Sequence, residues 1–116
     1  MHNYKKLDIW IKSISLVKEI YSSTNKFPKS EQFGLTSQMQ RAAVSIPANI
    51  AEGSAKSSNK DFSRFLEISL GSACELETLV IIAGELNYVE NEVFNSMENR
   101  IQELLRMIVS FKSQLS

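Results

Sequence analysis

The sequence predicts an all-α protein, an antiparallel up-down-up-down bundle of four helices whose second helix is kinked by a proline. The 116 residues include only 4 Gly and 2 Pro, and so few helix-breaking residues favour long regular segments. Apolar residues make up 43% of the chain, which is enough for one buried core at this length. They recur at spacings of three and four in four segments separated by short connections, as in antiparallel bundles.

The first helix is predicted from about Lys6 to Thr24, and Phe27-Pro28 follows it as a connection. Two apolar stripes follow the helical period on nearly opposite sides of this segment. We expect the core to be faced by the longer stripe, which comprises Leu7, Trp10, Ile11, Ile14, Val17 and Tyr21. A helix that is apolar on two sides is buried on both, so the second stripe predicts an oligomer interface made of Ile9, Leu16 and Ile20.

The second helix is expected to begin near Ser30 or Thr36 and to continue to Ala55, with Pro47 in its middle. Proline removes one backbone hydrogen bond of a helix and clashes with the carbonyl four residues earlier. The apolar spacing nevertheless continues past the proline, which favours one kinked helix over two separate helices. The stripe that continues consists of Met39, Ala43, Ile46 and Ile50.

A polar row lies beside this stripe, and its members are Gln38, Arg41, Ser45, Asn49 and Glu52. Polar groups at the border of a core need partners, and we expect Arg41 to pair with Glu77 or Glu75 of the third helix. The row therefore predicts a structural polar network, within the chain or between subunits; a site lining a channel or groove is the alternative. Small residues are expected to let the two helices approach closely, namely Ala42, Ser45, Gly71, Ser72 and Ala73.

The third helix is predicted to begin after Ser58, a good N-cap residue with Asp61 three positions later, and to end near Asn87. The fourth helix is predicted from about Asn91 to the C-terminus. No repeat, low-complexity tract or long linker interrupts the chain, so residues 1–116 are predicted to form a single domain.

Charge is divided unevenly along a chain whose net charge is zero. Residues 1–64 carry ten Lys or Arg against five Asp or Glu, whereas residues 65–116 carry three against eight. We expect the two halves to neutralise each other within one fold. The alternative is that the first half forms a basic face for an acidic partner.

The connection between the second and third helices has the composition of an anion site. Lys56, Ser57, Ser58 and Lys60 lie at the start of a helix, where free N–H groups and the helix dipole favour an anion, and Arg64 lies one turn further on. These five residues are the predicted nucleic-acid-binding site, with phosphate as the ligand. An ordinary capped helix start in a solvated loop is the alternative.

Signatures of catalysis are missing from the sequence. The one histidine is His2 and the one cysteine is Cys74, which leaves no metal cluster, no Ser–His or Cys–His pair and no intrachain disulfide. Cys74 is expected to be a small core residue. We predict a protein that is not an enzyme and binds no cofactor or metal. Without a signal-peptide core or an apolar run that could span a bilayer, a cytoplasmic location without membrane contact is expected.

Several segments together resemble a known family. They are residues 38–53 (QMQRAAVSIPANIAEG), with Phe27-Pro28, residues 31–35, residues 62–66 and residues 70–77. These segments are similar to bacterial four-helix-bundle proteins first noticed as open reading frames in intervening sequences of the 23S rRNA gene. The accessory variability proteins of diversity-generating retroelements are relatives of that family. The resemblance implies a ring-like homopentamer and nucleic-acid binding, and in the retroelement relatives a basic surface meets RNA, DNA and a reverse transcriptase.

The sequence thus predicts a non-catalytic, oligomeric module that binds RNA or DNA. A structural or adaptor ring that binds a protein partner, without nucleic acid, is the alternative. Non-specific nucleic-acid binding depends mainly on cationic contacts to phosphate. Because the net charge is zero, the nucleic-acid prediction rests on the local Ser/Lys-rich connection rather than on overall charge.

Overall fold

The computed structural model describes residues 3–115, and within them the chain forms four α-helices and no strand. The prediction of an all-α, four-helix fold is confirmed. None of the helices in this range is both long enough and apolar enough to cross a membrane. Met1, His2 and Ser116 also belong to the domain predicted from the sequence, and they lie outside the described residues. The helices are α1 (Asp8–Thr24), α2 (Leu35–Ser54), α3 (Asn59–Glu85) and α4 (Asn91–Ser113), and two 3-10 turns occupy Tyr4–Lys6 and Lys29–Glu31.

Local chemistry fixes both ends of α3. The Ser58 hydroxyl accepts a hydrogen bond from the Asp61 N–H at 3.1 Å, which confirms the predicted N-cap. At the other end Asn87 has a φ of 61°, a left-handed conformation that asparagine tolerates. The Tyr88 N–H then bonds the Ala83 carbonyl at 2.9 Å, which closes the helix and directs the chain towards α4.

Side-chain contacts show how the helices lie along one another. Lys12 meets Glu103 at 3.3 Å and Glu19 meets Arg100 at 3.4 Å, so residue numbers rise along α1 as they fall along α4. The α2–α3 turn and the C-terminus of α4 therefore share one end of the bundle with Tyr4–Lys6. The same opposed order appears in the other contacts, which are Glu67 with Lys112, Glu77 with Gln102, Gly84 with Phe94, Gly53 with Phe62, and Ser45 with Ser72.

The buried face of α1 is centred on the stripe that was predicted to face outwards, while Leu7, Trp10 and Val17 of the predicted core stripe are half-buried at its edge. Ile9, Leu16 and Ile20 are 4%, 1% and 0% exposed and lie in the hydrophobic core. Ile11 and Tyr21, which the sequence assigned to the core, are 48% and 40% exposed. The predicted oligomer interface at Ile9, Leu16 and Ile20 is therefore wrong, because these side chains are already covered within the chain.

Two polar residues lie in the buried stripe of α1. Ser13 and Thr24 lie on the same side of the helix as Ile9, Leu16 and Ile20. Because they are polar, that side does not look like a continuous apolar stripe in the sequence. The Ser13 hydroxyl donates to the Trp10 carbonyl at 2.8 Å, and the Thr24 hydroxyl donates to the Ile20 carbonyl at 2.8 Å. Because each hydroxyl is satisfied by its own helix, both residues can be buried without a partner on another helix.

The second helix continues through Pro47, from Leu35 to Ser54, so the prediction of one helix rather than two is confirmed. The kink predicted at Pro47 stays a prediction. Ser69 of α3 is fully buried and donates a hydrogen bond to the Ile46 carbonyl at 2.9 Å, beside the proline. This bond ties α3 to the middle of α2.

Gly53 allows α2 to approach α3 closely. A Cβ at Gly53 would lie 2.7 Å from the Phe65 Cβ and 2.9 Å from the Phe62 Cδ1, closer than real Cβ atoms come. Gly71, which the sequence placed among the residues that permit close approach, has nothing within 4 Å of such a Cβ. That role of Gly71 is therefore wrong, and Gly53 takes it instead.

Candidate nucleic-acid interface

The turn between α2 and α3 is short and held by its own backbone. The Ala55 N–H bonds the Glu52 carbonyl at 3.2 Å, and the Lys56 N–H bonds the Gly53 carbonyl at 3.1 Å. With α2 drawn against α3 at Gly53, residues 55–58 are enough to connect them. The turn therefore presents its lysines from a fixed base.

The three predicted cations, Lys56, Lys60 and Arg64, are all exposed. The Lys56 Nζ lies 5.0 Å from the centroid of the Phe65 ring, a cation–π distance that leaves the ammonium open to solvent. Arg64 pairs with Asp61 at 3.1 Å, and such surface pairs are weak. Lys60 has no ion-pair partner within residues 3–115. The two lysines are thus free for an external anion, whereas Arg64 is shared with Asp61.

The start of α3 has unused hydrogen-bond donors. The first turn of an α-helix leaves its N–H groups without partners inside the helix. Ser58 takes the N–H of Asp61, so its oxygen serves as the cap, while its O–H remains a donor. Ser57 is exposed beside it. Of the five predicted site residues, Ser58 thus has a demonstrated structural role, and the lysines have none.

An open depression of about 410 Å³ lies beside this helix start. Its walls come from α3 and the C-terminus of α4, and the Glu67 carboxylate on the wall is paired with Lys112 at 3.2 Å. Since that carboxylate is partly neutralised, an anion entering the depression meets mainly the cations and the helix N-terminus. The lining residues are Asn59, Lys60, Ser63, Arg64, Glu67 and Leu115.

The end of the bundle that carries this turn is more basic than the opposite end. A plane through the Ser45–Ser72 contact divides the bundle into two halves, and the half with the α2–α3 turn contains residues 3–15, 45–71 and 103–115. That half carries eight Lys or Arg and five Asp or Glu. The other half carries five Lys or Arg and eight Asp or Glu. The charge asymmetry therefore runs between the two ends of the bundle and favours anions at the α2–α3 turn.

The asymmetry between the two halves of the sequence is partly cancelled in the fold. The Lys12–Glu103 pair and the Glu19–Arg100 pair each join a residue before position 65 to one after it. Arg100 also donates to the Ser15 hydroxyl at 2.8 Å. These contacts agree with neutralisation within the fold, and they leave the end of the bundle, rather than a face along it, as the basic region.

Part of the predicted polar row forms a hydrogen-bonded network between α2 and α3. The Ser45 and Ser72 hydroxyl oxygens are 2.8 Å apart. The Asn49 side-chain amide donates to the Ser45 carbonyl at 2.8 Å and to the Ser45 hydroxyl at 3.0 Å. The other α2 members of the row, Gln38, Arg41 and Glu52, are exposed.

The pair of Arg41 with Glu77 or Glu75 does not form within the chain, and a pair between subunits stays a prediction. Glu77 accepts a hydrogen bond from the Gln102 amide of α4. Glu77 follows Ser72 by five residues, or about 140° around the helix, so it faces α4 when Ser72 faces α2. Arg41 lines a surface groove with Glu75, and within residues 3–115 it makes an ion pair with neither glutamate.

Glu98 and Gln102 of α4 were missed by sequence reasoning. The Gln102 amide nitrogen lies 3.3 Å from the Glu98 Oε1 and also bonds Glu77, so the amide bridges two carboxyl groups. Burial, and then a hydrogen bond to Glu77, raise the pKa of Glu98. The available signal was the spacing of four residues between Glu98 and Gln102, next to the core residues Met97 and Ile101.

Within residues 3–115, no group of three His, Cys, Asp or Glu side chains is placed to hold a metal ion. Cys74 is exposed, so its predicted core position is wrong. Ala73 occupies the core, and the next residue lies about 100° further around α3. The absence of enzymatic activity stays a prediction.

The fold places this chain among small four-helix-bundle proteins, and its own bundle has a cationic helix start at one end. The sequence profile of the 23S rRNA-intervening sequence protein family matches residues 5–110, and the chain belongs to that family. Among solved structures, the chain is similar to a protein of unknown function from the S23 ribosomal protein family of Bacteroides thetaiotaomicron. The two share 25% identity and a TM-score of 0.83 over 90% of this chain and 95% of that one. No curated protein matches the chain.

Proposed function

We propose that this protein is a non-catalytic, cytoplasmic module that binds nucleic acid through the α2–α3 turn. The observation that carries the proposal is the pair Lys56 and Lys60, exposed at a capped helix start and free of acidic partners within residues 3–115. Phosphate suits both the lysine ammonium groups and the free N–H groups of that helix start. Arg64 contributes less, because Asp61 already holds it.

The size of the cationic site sets the expected binding behaviour. Each phosphate contacted contributes about −0.9 to the slope of log affinity against log salt for duplex DNA and about −0.7 for single strands. Two lysines and one shared arginine therefore predict a slope near −2 to −3 for each copy of the chain. Binding is accordingly expected to be strongest at low salt, as suits a protein without net positive charge.

The proposal includes self-assembly through the exposed face of α2 and α3. Arg41 and Glu75 on this face have opposite charges, and neither forms an ion pair within residues 3–115. Arg41 of one copy can meet Glu75 of the next, which makes the surface complementary to itself. The face also has exposed apolar side chains, which are Val44, Ile68, Ile82 and Leu86.

A ring of copies would gather several α2–α3 turns on one assembly and raise its avidity for a long nucleic acid. The homopentamer implied by the sequence resemblance is the assembly we propose. We also propose that the chain is related to the accessory variability proteins of retroelements. Its ligand would then be RNA or DNA, and a reverse transcriptase would be a protein partner. The exposed apolar residues also support a second candidate, an adaptor ring that binds a protein partner without nucleic acid.

Fluorescence anisotropy with a labelled RNA hairpin and a DNA duplex, between about 50 and 200 mM salt, tests the proposal. The Lys56→Gln/Lys60→Gln variant is expected to bind more weakly and to reduce the slope by about 2. The control Lys18→Gln/Lys26→Gln removes the same charge from exposed lysines elsewhere. Absence of binding by the wild-type protein at low salt refutes the proposal, and equal loss in both variants assigns binding to net charge alone.

Light scattering after size exclusion tests self-assembly separately. Ile68→Asp places a charge on the α2–α3 face, whereas Val109→Asp places the same charge on an exposed position of α4. We expect Ile68→Asp to lower the molar mass and Val109→Asp to leave it unchanged. A wild-type monomer at micromolar concentration contradicts the assembly without bearing on the lysine site.

A further inference from the structure

Phe33, in the connection between α1 and α2, is 90% exposed. Its neighbours in the same connection behave differently, since Phe27 and Leu35 are 7% and 8% exposed and belong to the core. Exposing an entire phenyl ring to water forgoes the free energy that its burial would give. An aromatic ring held outside an otherwise buried connection is therefore a candidate contact for a ligand.

The turn that carries Phe33 is fixed by Glu31. One carboxylate oxygen of Glu31 accepts from the Leu35 N–H at 3.2 Å, and the other accepts from the Tyr88 hydroxyl at 2.9 Å. The Gly34 N–H bonds the Glu31 carbonyl at 2.9 Å, and a Cβ on Gly34 would lie 2.9 Å from the Glu31 Oε1. The backbone that carries the ring is thus held by hydrogen bonds, so less backbone freedom is lost when a ligand binds the ring.

The surface beside Phe33 combines polar and apolar groups. A depression of about 440 Å³ is lined by Phe27, Pro28 and Phe33 together with side-chain amides, hydroxyls and one lysine. That lysine, Lys29, has no ion pair within residues 3–115. An apolar partner surface would leave these amides and hydroxyls without hydrogen bonds. A nucleotide satisfies them, because a base has a flat face for stacking and polar edges, and its phosphate is an anion. The lining residues that the argument uses are Asn25, Lys29, Gln32, Thr36 and Ser37.

We infer that the α1–α2 connection binds an unpaired nucleotide of a single-stranded RNA or DNA segment. The base stacks on Phe33, the amide of Asn25 or Gln32 meets its polar edge, and Lys29 meets the phosphate. The inference rests on the proposed function for its ligand class and adds a preference for unpaired bases. The site lies at the opposite end of the bundle from the α2–α3 turn, so the two can be disabled independently.

Anisotropy titrations with labelled oligouridine, oligodeoxythymidine and a duplex of equal length test the inference. Loss of a stacked base is worth about 1–3 kcal/mol, so Phe33→Ala is expected to weaken single-strand binding by about 5- to 150-fold. Duplex binding and the salt slope stay unchanged, because no cation is removed. Phe33→Trp keeps a stacking surface and retains affinity, whereas Phe33→Leu keeps an apolar side chain and loses it. Val109→Ala is the matched exposed control.

The outcomes separate this inference from the proposed function. If Phe33→Ala binds single strands like the wild type while Lys56→Gln/Lys60→Gln does not, the inference is wrong and the lysine site stands. If Phe33→Ala instead lowers the molar mass in light scattering, the ring packs against a second copy and the inference is overturned. If the wild type binds neither single strands nor duplex, both proposals fail. The RNA and DNA arms show which single strand the site prefers.

Discussion

The two ends of this bundle carry different chemistry on the same helical frame. The α2–α3 turn presents lysines at a capped helix start, and the α1–α2 connection presents an exposed aromatic ring beside amides and hydroxyls. Contacts of lysine with phosphate weaken steeply as salt rises, whereas stacking on an aromatic ring does not depend on charge. The comparison therefore teaches that the two proposed activities, affinity for phosphate and preference for unpaired bases, are assigned to separate ends of the bundle and can be tested separately.

The ends are also held in different ways. At the α2–α3 turn, the missing side chain of Gly53 lets two helices meet, so the geometry is steric. At the α1–α2 connection, the Glu31 carboxylate joins the start of α2 to Tyr88, so the geometry depends on hydrogen bonds. Adding a methyl group at Gly53 should therefore destabilise the end with the α2–α3 turn. Removing the Glu31 carboxylate should destabilise the end with the α1–α2 connection.

The largest expected effect is that of Gly53→Ala at the cationic end, which is the end of the bundle with the α2–α3 turn. The new methyl group meets Phe62 and Phe65, and overpacking of this kind costs about 1–3 kcal/mol of unfolding free energy. Urea denaturation measures the loss. Gly71→Ala is the matched control, since it meets open space and should stabilise α3 by up to about 1 kcal/mol. If both substitutions change the free energy of unfolding equally, close contact at Gly53 does not explain how α2 and α3 meet.

Glu31→Ala is expected to disrupt the aromatic end, which is the end of the bundle with the α1–α2 connection and Phe33. It removes the acceptor of the Leu35 N–H and the Tyr88 hydroxyl, and we expect a loss of about 1–2 kcal/mol in chemical denaturation. The freed turn should also weaken binding of single strands without altering binding of duplex. Glu31→Gln, which keeps an acceptor oxygen, should fall between the wild type and Glu31→Ala. A fully stable Glu31→Ala variant would show that Phe33 is positioned by something else.

Ser58→Ala tests the cap of the cationic end with a smaller effect. Loss of the hydrogen bond to the Asp61 N–H should lower the stability by about 1 kcal/mol. Ser57→Ala, at the exposed neighbouring position, should stay within about 0.5 kcal/mol of the wild type. Thermal unfolding of the two variants side by side distinguishes a cap from a general preference for serine in the turn.

The smallest expected effect is a pH dependence confined to the aromatic end. The hydrogen bond to Glu31, with burial and the Glu31 charge, raises the pKa of Tyr88 above its ordinary value. The folded state therefore holds the phenol proton more tightly than the unfolded state. The resulting stabilisation is fully present below about pH 10, the ordinary pKa of tyrosine, and is lost as the pH rises through the folded pKa. Absorbance titration of the wild type against Tyr88→Phe should show one tyrosine ionising late, and Glu31→Ala should abolish the delay.

The sequence allowed the four helices and the start of α3 to be predicted, because local chemistry determines them. Few glycines and prolines, apolar spacing and the Ser58 cap each act within a few residues of the chain. The buried side of α1 could not be read in this way. Both of its stripes are apolar, and the buried one also contains Ser13 and Thr24, whose hydroxyls bond their own helix.

The candidate sites differ in the same respect. The lysines of the α2–α3 turn were predicted, because a helix start and its cations are neighbours in the sequence. The pair of Arg41 with Glu77 does not form within the chain, since a difference of about 140° around α3 turns Glu77 towards α4. Phe33 lies in one of the family-like segments, but its exposure was not predicted. The turn that carries it is held by the contact of Glu31 with Tyr88, 57 residues away along the chain.

A salt titration of nucleic-acid affinity tests the separation of the two ends most directly. The wild type, Lys56→Gln/Lys60→Gln and Phe33→Ala are compared on single strands and on duplex. The account predicts that the lysine variant reduces the magnitude of the salt slope by about 1.8 on duplex and by about 1.4 on single strands. Phe33→Ala should keep the slope and weaken only single-strand binding, at every salt concentration. Parallel losses in both variants on both ligands, or no loss in either, would contradict the account.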